Sequence, residues 1–173
     1  MGALIDDLLV FSRMGRAEMR QTRFAMDRLV KEVLKEMTVE LQSRQIEWEI
    51  GPLPEVWGDR AMLKQVWVNL LSNAVKYTRP RERARIEIGC ARTSKRELQF
   101  FVRDNGVGFD MQYSNRLFGV FQRLHHPEEF DGTGIGLANV RRIVHRHGGR
   151  TWAEAKVNEG ATFYFTLPDG TKE

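Results

Sequence analysis

The stretch Gln65-Val66-Trp67-Val68-Asn69-Leu70-Leu71-Ser72-Asn73-Ala74-Val75-Lys76-Tyr77-Thr78 carries two helical stripes at once. Leu63, Val66, Trp67, Leu70, Leu71 and Ala74 recur at three- and four-residue steps, which predicts a helix with one buried face. Gln65, Asn69, Asn73 and then Lys76 or Tyr77 follow four-residue steps and drift slowly around the same axis. Asp59 is placed to cap this helix, and Arg79 and Pro80 end it after Tyr77. Asparagine is a weak helix former because its side chain competes for backbone hydrogen bonds. Two of them one turn apart, followed by a cation and an aromatic, suggest a face turned toward a ligand. A carboxamide oxygen can ligate Mg²⁺ among waters and phosphate oxygens, and a lysine meets a phosphate as a point charge. A solvated polar face explains the same stripe, and on this helix alone it is the simpler explanation.

Outward from this helix the chain groups its helices and strands instead of alternating them. Residues 1–19 read as a helix through Leu4, Ile5, Leu8, Leu9 and Phe11 or Ser12, too short to stand alone. It packs on the domain or belongs to a larger helical bundle. Residues 22–25 form a short strand, and an amphipathic helix runs from Asp27 to about residue 44 on Leu29, Val30, Val33, Leu34, Met37 and Leu41. Residues 45–50 alternate as a strand, and Pro52, Pro54 and Gly58 mark a loop. Two hairpins are predicted, one from residues 85–91 and 97–103, the other from 150–156 and 161–167 around Asn158-Glu159-Gly160. Between them lie an irregular stretch, 104–131, with one short helix near Ser114, and a helix over 133–147 stopped by Gly148 and Gly149. The expected architecture is an α/β (α+β) two-layer sandwich, with an open antiparallel or mixed sheet covered on one face by about three helices.

Two glycine-bearing segments flank the irregular stretch. Asp104-Asn105-Gly106-Val107-Gly108-Phe109-Asp110 follows a strand directly. Its glycines allow close backbone approach, and Asp104 offers a carboxylate that can accept from an exocyclic amine such as that of adenine. A glycine turn with Asx-type hydrogen bonding accounts for it equally well. Gly132-Thr133-Gly134-Ile135-Gly136-Leu137 opens a helix, where free backbone N–H groups make an anion site. It lacks the Gly-Lys-Ser/Thr ending of a P-loop, and a tight turn packed on the sheet is its plain alternative.

Composition narrows the class. The chain has 173 residues, 42% hydrophobic and 29% charged, as in an ordinary globular protein of one domain plus an appendage. A net charge of +4 without a dense Lys/Arg run argues against nucleic acid as a partner. Cys90 is the single cysteine, so there is no intrachain disulfide and no cysteine-built zinc site, and a reducing cytoplasmic setting fits. No apolar run approaches the roughly 20 residues that span a bilayer, which predicts no direct membrane contact. Asp6 and Asp7 inside the first apolar segment argue against a secretion signal.

In this order the segments resemble the GHKL superfamily of ATPases and kinases, and within it the catalytic domain of sensor histidine kinases. The likeness covers about residues 22–168. Gln65 to Thr78 resembles that family's asparagine box, Asp104 to Asp110 and Gly132 to Leu137 its two glycine boxes, and Leu117-Phe118-Gly119-Val120-Phe121-Gln122-Arg123 its phenylalanine box. Glu159-Gly160-Ala161-Thr162-Phe163 resembles its last strand entry, and the wording around Phe121 to His125 and Ala138 to Ile143 resembles bacteriophytochrome-type kinases.

The resemblance implies the Bergerat ATP-binding fold with ATP and Mg²⁺ as cofactors. It implies Asp104 as adenine acceptor, Asn73 as the principal Mg²⁺ ligand, Asn69 and Lys76 at the metal–phosphate region, and Tyr77 beside the base. Arg123 joins Asn69 and Lys76 as a catalytic candidate. Gly106, Gly108, Phe121, Thr162 and Leu137 line the nucleotide, with Gly132, Thr133, Gly134 and Gly136 along the phosphate path, and residues 112–131 form a lid. It implies residues 1–20 as the tail of a dimerisation helix and 21–170 as the catalytic domain.

Two departures shape the expected chemistry. The family's phosphoacceptor histidine lies in an acidic motif on an upstream helix, whereas the four histidines here are His125, His126, His145 and His147. The expected partners are therefore a histidine-bearing dimerisation domain and a response-regulator receiver domain. His145 and His147 read as helix-end residues, and His125 and His126 as exposed lid residues. Hydrolytic relatives carry a water-activating Glu one turn before the metal-binding Asn. Asn69 stands there, and an amide cannot act as a general base. Transfer of the γ-phosphate to a histidine is expected; a nucleotide- or partner-binding regulatory module without transfer is the alternative.

Overall fold

In a computed structural model of the chain, residues 2–41, 44–119 and 135–170 are described. Helix α1 (Gly2–Arg16) leads into strand β1 (Gln21–Ala25) and helix α2 (Met26–Glu36). Helix α2 buries Met26, Leu29, Val30 and Val33. The helix expected to continue to residue 44 breaks at Met37, and a four-residue turn, α3 (Thr38–Leu41), follows. The Thr38 hydroxyl donates to the Lys35 carbonyl, a side-chain bond that competes with the helical ladder.

Strand β2 (Ile46–Ile50) is followed by β3 (Glu55–Asp59), where a loop was expected around Gly58. Strand β3 forms because β1 pairs with it antiparallel, Arg23 opposite Trp57 and Phe24 opposite Val56. Gly58 keeps this ribbon close to the helices. A Cβ there would lie 2.7 Å from Leu63 and 3.1 Å from the His147 ring.

Helix α4 (Arg60–Tyr77) carries the asparagine stripe. The Asp59 side chain caps it, accepting from the Met62 N–H at 3.1 Å. Strands β4 (Ala84–Arg92) and β5 (Glu97–Asp104) form the first expected hairpin; β6 (Thr151–Lys156) and β7 (Gly160–Pro168) form the second. Between the hairpins lie a 3-10 helix (Met111–Arg116) and helix α5 (Gly136–Arg146). The main sheet runs β2-β4-β5-β7-β6. It is mixed because β2 joins β4 in parallel while the other pairs are antiparallel.

The inner face of the sheet offers Ile86, Ile88, Leu98, Phe100, Val102, Phe163, Phe165 and Leu167, all buried. Trp67 of α4 is the keystone of this layer. It meets Phe100 and Phe165 edge-on at 6.0 and 5.2 Å, and its indole N–H donates to the Met26 sulfur at 3.1 Å, tying α2 to α4. Helix α5 lies beside α4 and runs antiparallel to it: His147, just past the end of α5, meets Gly58 before α4, whereas Gly136 at its start meets Asn69. Gly148, at φ +81°, and Gly149 then turn the chain back to the sheet.

Helix α1 docks on α5 through its far end. The Arg142 guanidinium lies 3.9 Å over the Phe11 ring, and Arg146 donates to the Met14 carbonyl at 2.7 Å. Leu4, Ile5, Leu8 and Leu9, nearer the start, remain exposed. No described helix is long and apolar enough to cross a membrane.

Candidate functional site

Helix α4 separates its two stripes cleanly. Leu63, Val66, Trp67, Leu70, Leu71 and Ala74 are buried, whereas Gln65, Asn69, Asn73, Lys76 and Tyr77 are half-buried along its adjoining side. That side is therefore neither core nor open solvent. Lys76 places its ammonium 5.1 Å from the centre of the Tyr77 ring.

The C-terminal end of α4 is stitched to the first glycine loop. The Val107 N–H donates to the Tyr77 carbonyl at 3.1 Å. Gly106 passes beneath the same carbonyl, where a Cβ would sit 2.3 Å from the Tyr77 oxygen, so only glycine fits. Gly108 has φ +61°, and a Cβ would come within 2.1 Å of the Lys156 carbonyl. This glycine brings the loop against the β6–β7 turn, where the Asn158 N–H donates to the Val107 carbonyl at 2.8 Å.

Asp104 ends β5 on the inner face and is buried. Burial pushes its carboxyl up to about 6, against the pull of backbone donors from Gly106 and Ala161 and the positive charge of Arg81. Its Oδ1 accepts from the Gly106 N–H at 2.9 Å. A buried carboxylate with raised affinity for a proton is also a strong acceptor for an amine donor.

Arg81 is the clamp of this loop. It donates from Nε to the Asn105 carbonyl at 2.8 Å, and from one terminal nitrogen to the Gly106 and Asn158 carbonyls at 2.9 and 2.8 Å. One guanidinium thereby joins two backbone segments near Asp104, the Asn105–Gly106 loop and the β6–β7 turn. Nothing in local spacing signals this role; its three acceptors lie 24 to 77 positions away.

The second glycine segment meets the asparagine stripe. A Cβ on Gly136 would lie 3.4 Å from Asn69 Oδ1, so the carboxamide oxygen faces the start of α5. Ile135 occupies the N-cap position, and no side chain among the described residues caps the helix. The first turn of a helix leaves backbone N–H groups without helical partners, and here that turn begins at Gly136 beside Asn69.

Thr162 does not join this group. It pairs across the sheet with Arg103, and its hydroxyl accepts from Arg103 Nε at 3.3 Å on the face away from the helices. Ala161 instead stands opposite Asp104. Phe121, Arg123, Gly132, Thr133 and Gly134, most of the expected lid, and His125 and His126 lie outside the described residues.

Among the described residues no cluster of three or more His, Cys, Asp or Glu side chains could cage a metal. Carboxamide oxygens beside an uncapped helix start fit a hard cation that keeps most of its ligands from water and phosphate. Asn69 Oδ1 faces that helix start, and Asn73 follows one turn along the same half-buried side of α4.

Residues 58–171 match the family described as histidine kinase-, DNA gyrase B- and HSP90-like ATPases. Cyanobacterial phytochrome A of Nostoc sp. is 39% identical over the whole chain, which spans 22% of that protein's length. The structure of full-length ShkA in complex with AMPPNP superposes with a TM-score of 0.79 at 29% identity, over 95% of this chain and 35% of that one. The nucleotide-free catalytic domain of histidine kinase ThkA superposes at 0.71 with 27% identity, over 87% of this chain and 99% of that domain. With its mixed sheet, its asparagine-bearing helix and its buried Asp104 at a glycine loop, the chain belongs to the histidine kinase-, DNA gyrase B- and HSP90-like ATPase family, on the side of the histidine-kinase catalytic domains.

Proposed function

We propose that this chain is the ATP-binding catalytic unit of a two-component sensor histidine kinase, working in the cytoplasm on a histidine carried by a dimerisation domain. The convergence of three separate segments supports this most: buried Asp104 behind Gly106, the half-buried stripe of α4, and the uncapped start of α5 against Asn69. The likeness to ShkA, solved with AMPPNP, adds support for a nucleotide.

Each residue then has a task. The Asp104 carboxylate accepts from the adenine amine, and Tyr77 closes the side of the base. Gly106 and Gly108 let the loop backbone lie against α4 and the β6–β7 turn without side chains in the way. Asn73 offers its carboxamide oxygen to Mg²⁺, and Asn69 offers another beside it. Lys76 and the first N–H groups of α5 neutralise phosphate charge. Bound Mg-ATP supplies the phosphoryl group: the bond from the γ-phosphorus to the β-bridging oxygen breaks, a bond to the acceptor imidazole nitrogen forms, and ADP leaves with the electron pair. The protein's contribution is positioning and charge neutralisation. Asn69 has no basic oxygen with which to activate water, so transfer outpaces hydrolysis.

Residues 1–20 are proposed as the tail of a dimerisation helix and 21–170 as the catalytic domain. The exposed row Leu4, Ile5, Leu8 and Leu9 supports this division, since such a row suits a helical bundle. A response-regulator receiver domain is the proposed downstream partner.

The test is transfer of label from γ-labelled ATP with Mg²⁺ to a histidine-bearing dimerisation domain of a close relative. The account expects acid-labile label on that domain and essentially none on this chain. Stoichiometric labelling of a histidine in this chain, or nucleotide binding with no transfer, would point respectively to an unconventional kinase or to a regulatory module.

A further inference from the structure

Asn139 is a polar side chain in an apolar place. It lies on the buried face of α5 with Val140, Ile143 and Val144, and is 2% exposed. Its carboxamide oxygen has no hydrogen-bond partner among the described residues. One other buried side-chain polar atom there shares this condition, and it is Nδ2 of Asn69. The pair is complementary, an acceptor on α5 and a donor on α4.

The helix packing puts the two on one seam. Helices α4 and α5 run antiparallel, with Gly136 against Asn69 and His147 against Gly58. Asn139 is three residues along α5 from Gly136, about 4.5 Å of rise and roughly 60° around the axis, on the buried face of the helix. It therefore sits one turn deeper in the seam than the contact between Gly136 and Asn69. The Asn69 amide is already divided in the required sense. Its oxygen faces the start of α5, and its nitrogen is buried.

We propose that Asn139 is a positioning residue for Asn69: one water bridges the pair, accepting from Asn69 Nδ2 and donating to Asn139 Oδ1, and so fixes which end of the Asn69 amide faces the phosphate–metal region. An amide rotated by half a turn would present N–H groups where a cation needs oxygen. Buried polar groups that lack other partners are held by the few that can satisfy them. The proposal rests on the reading of this site as a Mg-nucleotide site, and deepens it.

The experiment is a double-mutant cycle on the full chain with Asn69→Ala, Asn139→Leu and both together. Calorimetry measures the affinity for AMPPNP with Mg²⁺ and with EDTA. Asn139→Leu keeps the side-chain volume, so metal-free affinity should stay within about twofold, while the Mg²⁺-dependent gain falls about tenfold, as is typical for removal of a residue that orients a metal ligand. In the Asn69→Ala background Asn139→Leu should have no further effect. The Asn69 side-chain amide signal, assigned by its loss in Asn69→Asp, gives a second readout that needs no nucleotide. It should be shifted and slow to exchange in the unvaried chain, and should lose both properties in Asn139→Leu. If that variant does not fold, a freely exchanging Asn69 amide in the unvaried chain suffices to overturn the proposal. Additive effects with an unchanged amide signal also overturn it. An unvaried chain with no Mg²⁺-dependent gain sinks the site reading and the proposal together, whereas a gain that survives Asn139→Leu sinks the role of Asn139 alone.

Discussion

The backbone N–H of Asp59 donates to Nε2 of His147 at 3.0 Å, pinning the start of α4 to the end of α5. The other ring nitrogen of His147 bonds the Ile143 carbonyl at 2.8 Å, so Nδ1 carries the proton and the ring is neutral. Asp59 meanwhile accepts from the Arg20 and Met62 N–H groups. The two helices that carry the proposed site are thus registered at the end far from it.

Burial holds the His147 imidazole below its ordinary value of 6.5. The unfolded chain then takes up the proton more readily than the folded one. The stabilisation is complete above about pH 6.5 and is lost as pH falls through the folded value. Thermal unfolding at pH 7.5 and at pH 5 should show a larger loss of midpoint in the unvaried chain than in His147→Leu. Parallel pH profiles would contradict the neutral, accepting role of His147.

Asp104 works in the opposite sense. Its carboxyl lies at about 6 in the fold against an ordinary 3.8. Its protonated form favours folding below the unfolded value, and this advantage disappears as pH rises through about 6. The charged form thus costs the empty domain up to about 3 kcal/mol at pH 8. Asp104→Asn mimics the protonated state and keeps an oxygen for the Gly106 N–H. It should raise the unfolding midpoint at pH 8, with a smaller gain at pH 5, while weakening nucleotide binding. A destabilised Asp104→Asn at pH 8 would mean that the carboxylate serves the fold and not a ligand.

Arg81 gives a sharper structural test. Arg81→Met frees three carbonyls at once. Amide exchange should quicken at Val107 and Asn158, whose N–H groups bond the Tyr77 and Val107 carbonyls. Nucleotide affinity should fall about tenfold, the equivalent of one charge-assisted bond. Arg81→Lys should recover only part of it, because an ammonium lacks the fork that reaches several acceptors. Unchanged exchange at both amides would show that the loop holds itself.

The parts of the fold legible in the sequence were those set by local period and capping. The stripe through Trp67, the cap at Asp59 and both hairpins follow from neighbours a few residues apart. Strand β3 was not legible, because Val56 and Trp57 become a strand only when Arg23 and Phe24 pair with them. The inward–outward choice in β7 was hidden for a related reason. Ala161, Thr162 and Phe163 are all buried, so no alternation shows that Thr162 faces Arg103 while Ala161 faces the core. In the proposed site, Asp104 was legible from its glycines. Arg81 and Asn139 were not, since their meaning lies in carbonyls and a carboxamide that only the folded chain brings near.

The central claim is that α4 and the Asp104 loop form one Mg-nucleotide site. Calorimetric titration of the chain with AMPPNP, with and without Mg²⁺, tests it most directly when run beside Asp104→Asn and Asn73→Ala. The account predicts one-to-one binding strengthened by Mg²⁺. Asp104→Asn should weaken it with and without metal, and Asn73→Ala should remove mainly the Mg²⁺-dependent part. Absence of binding, or binding indifferent to both substitutions, would contradict it.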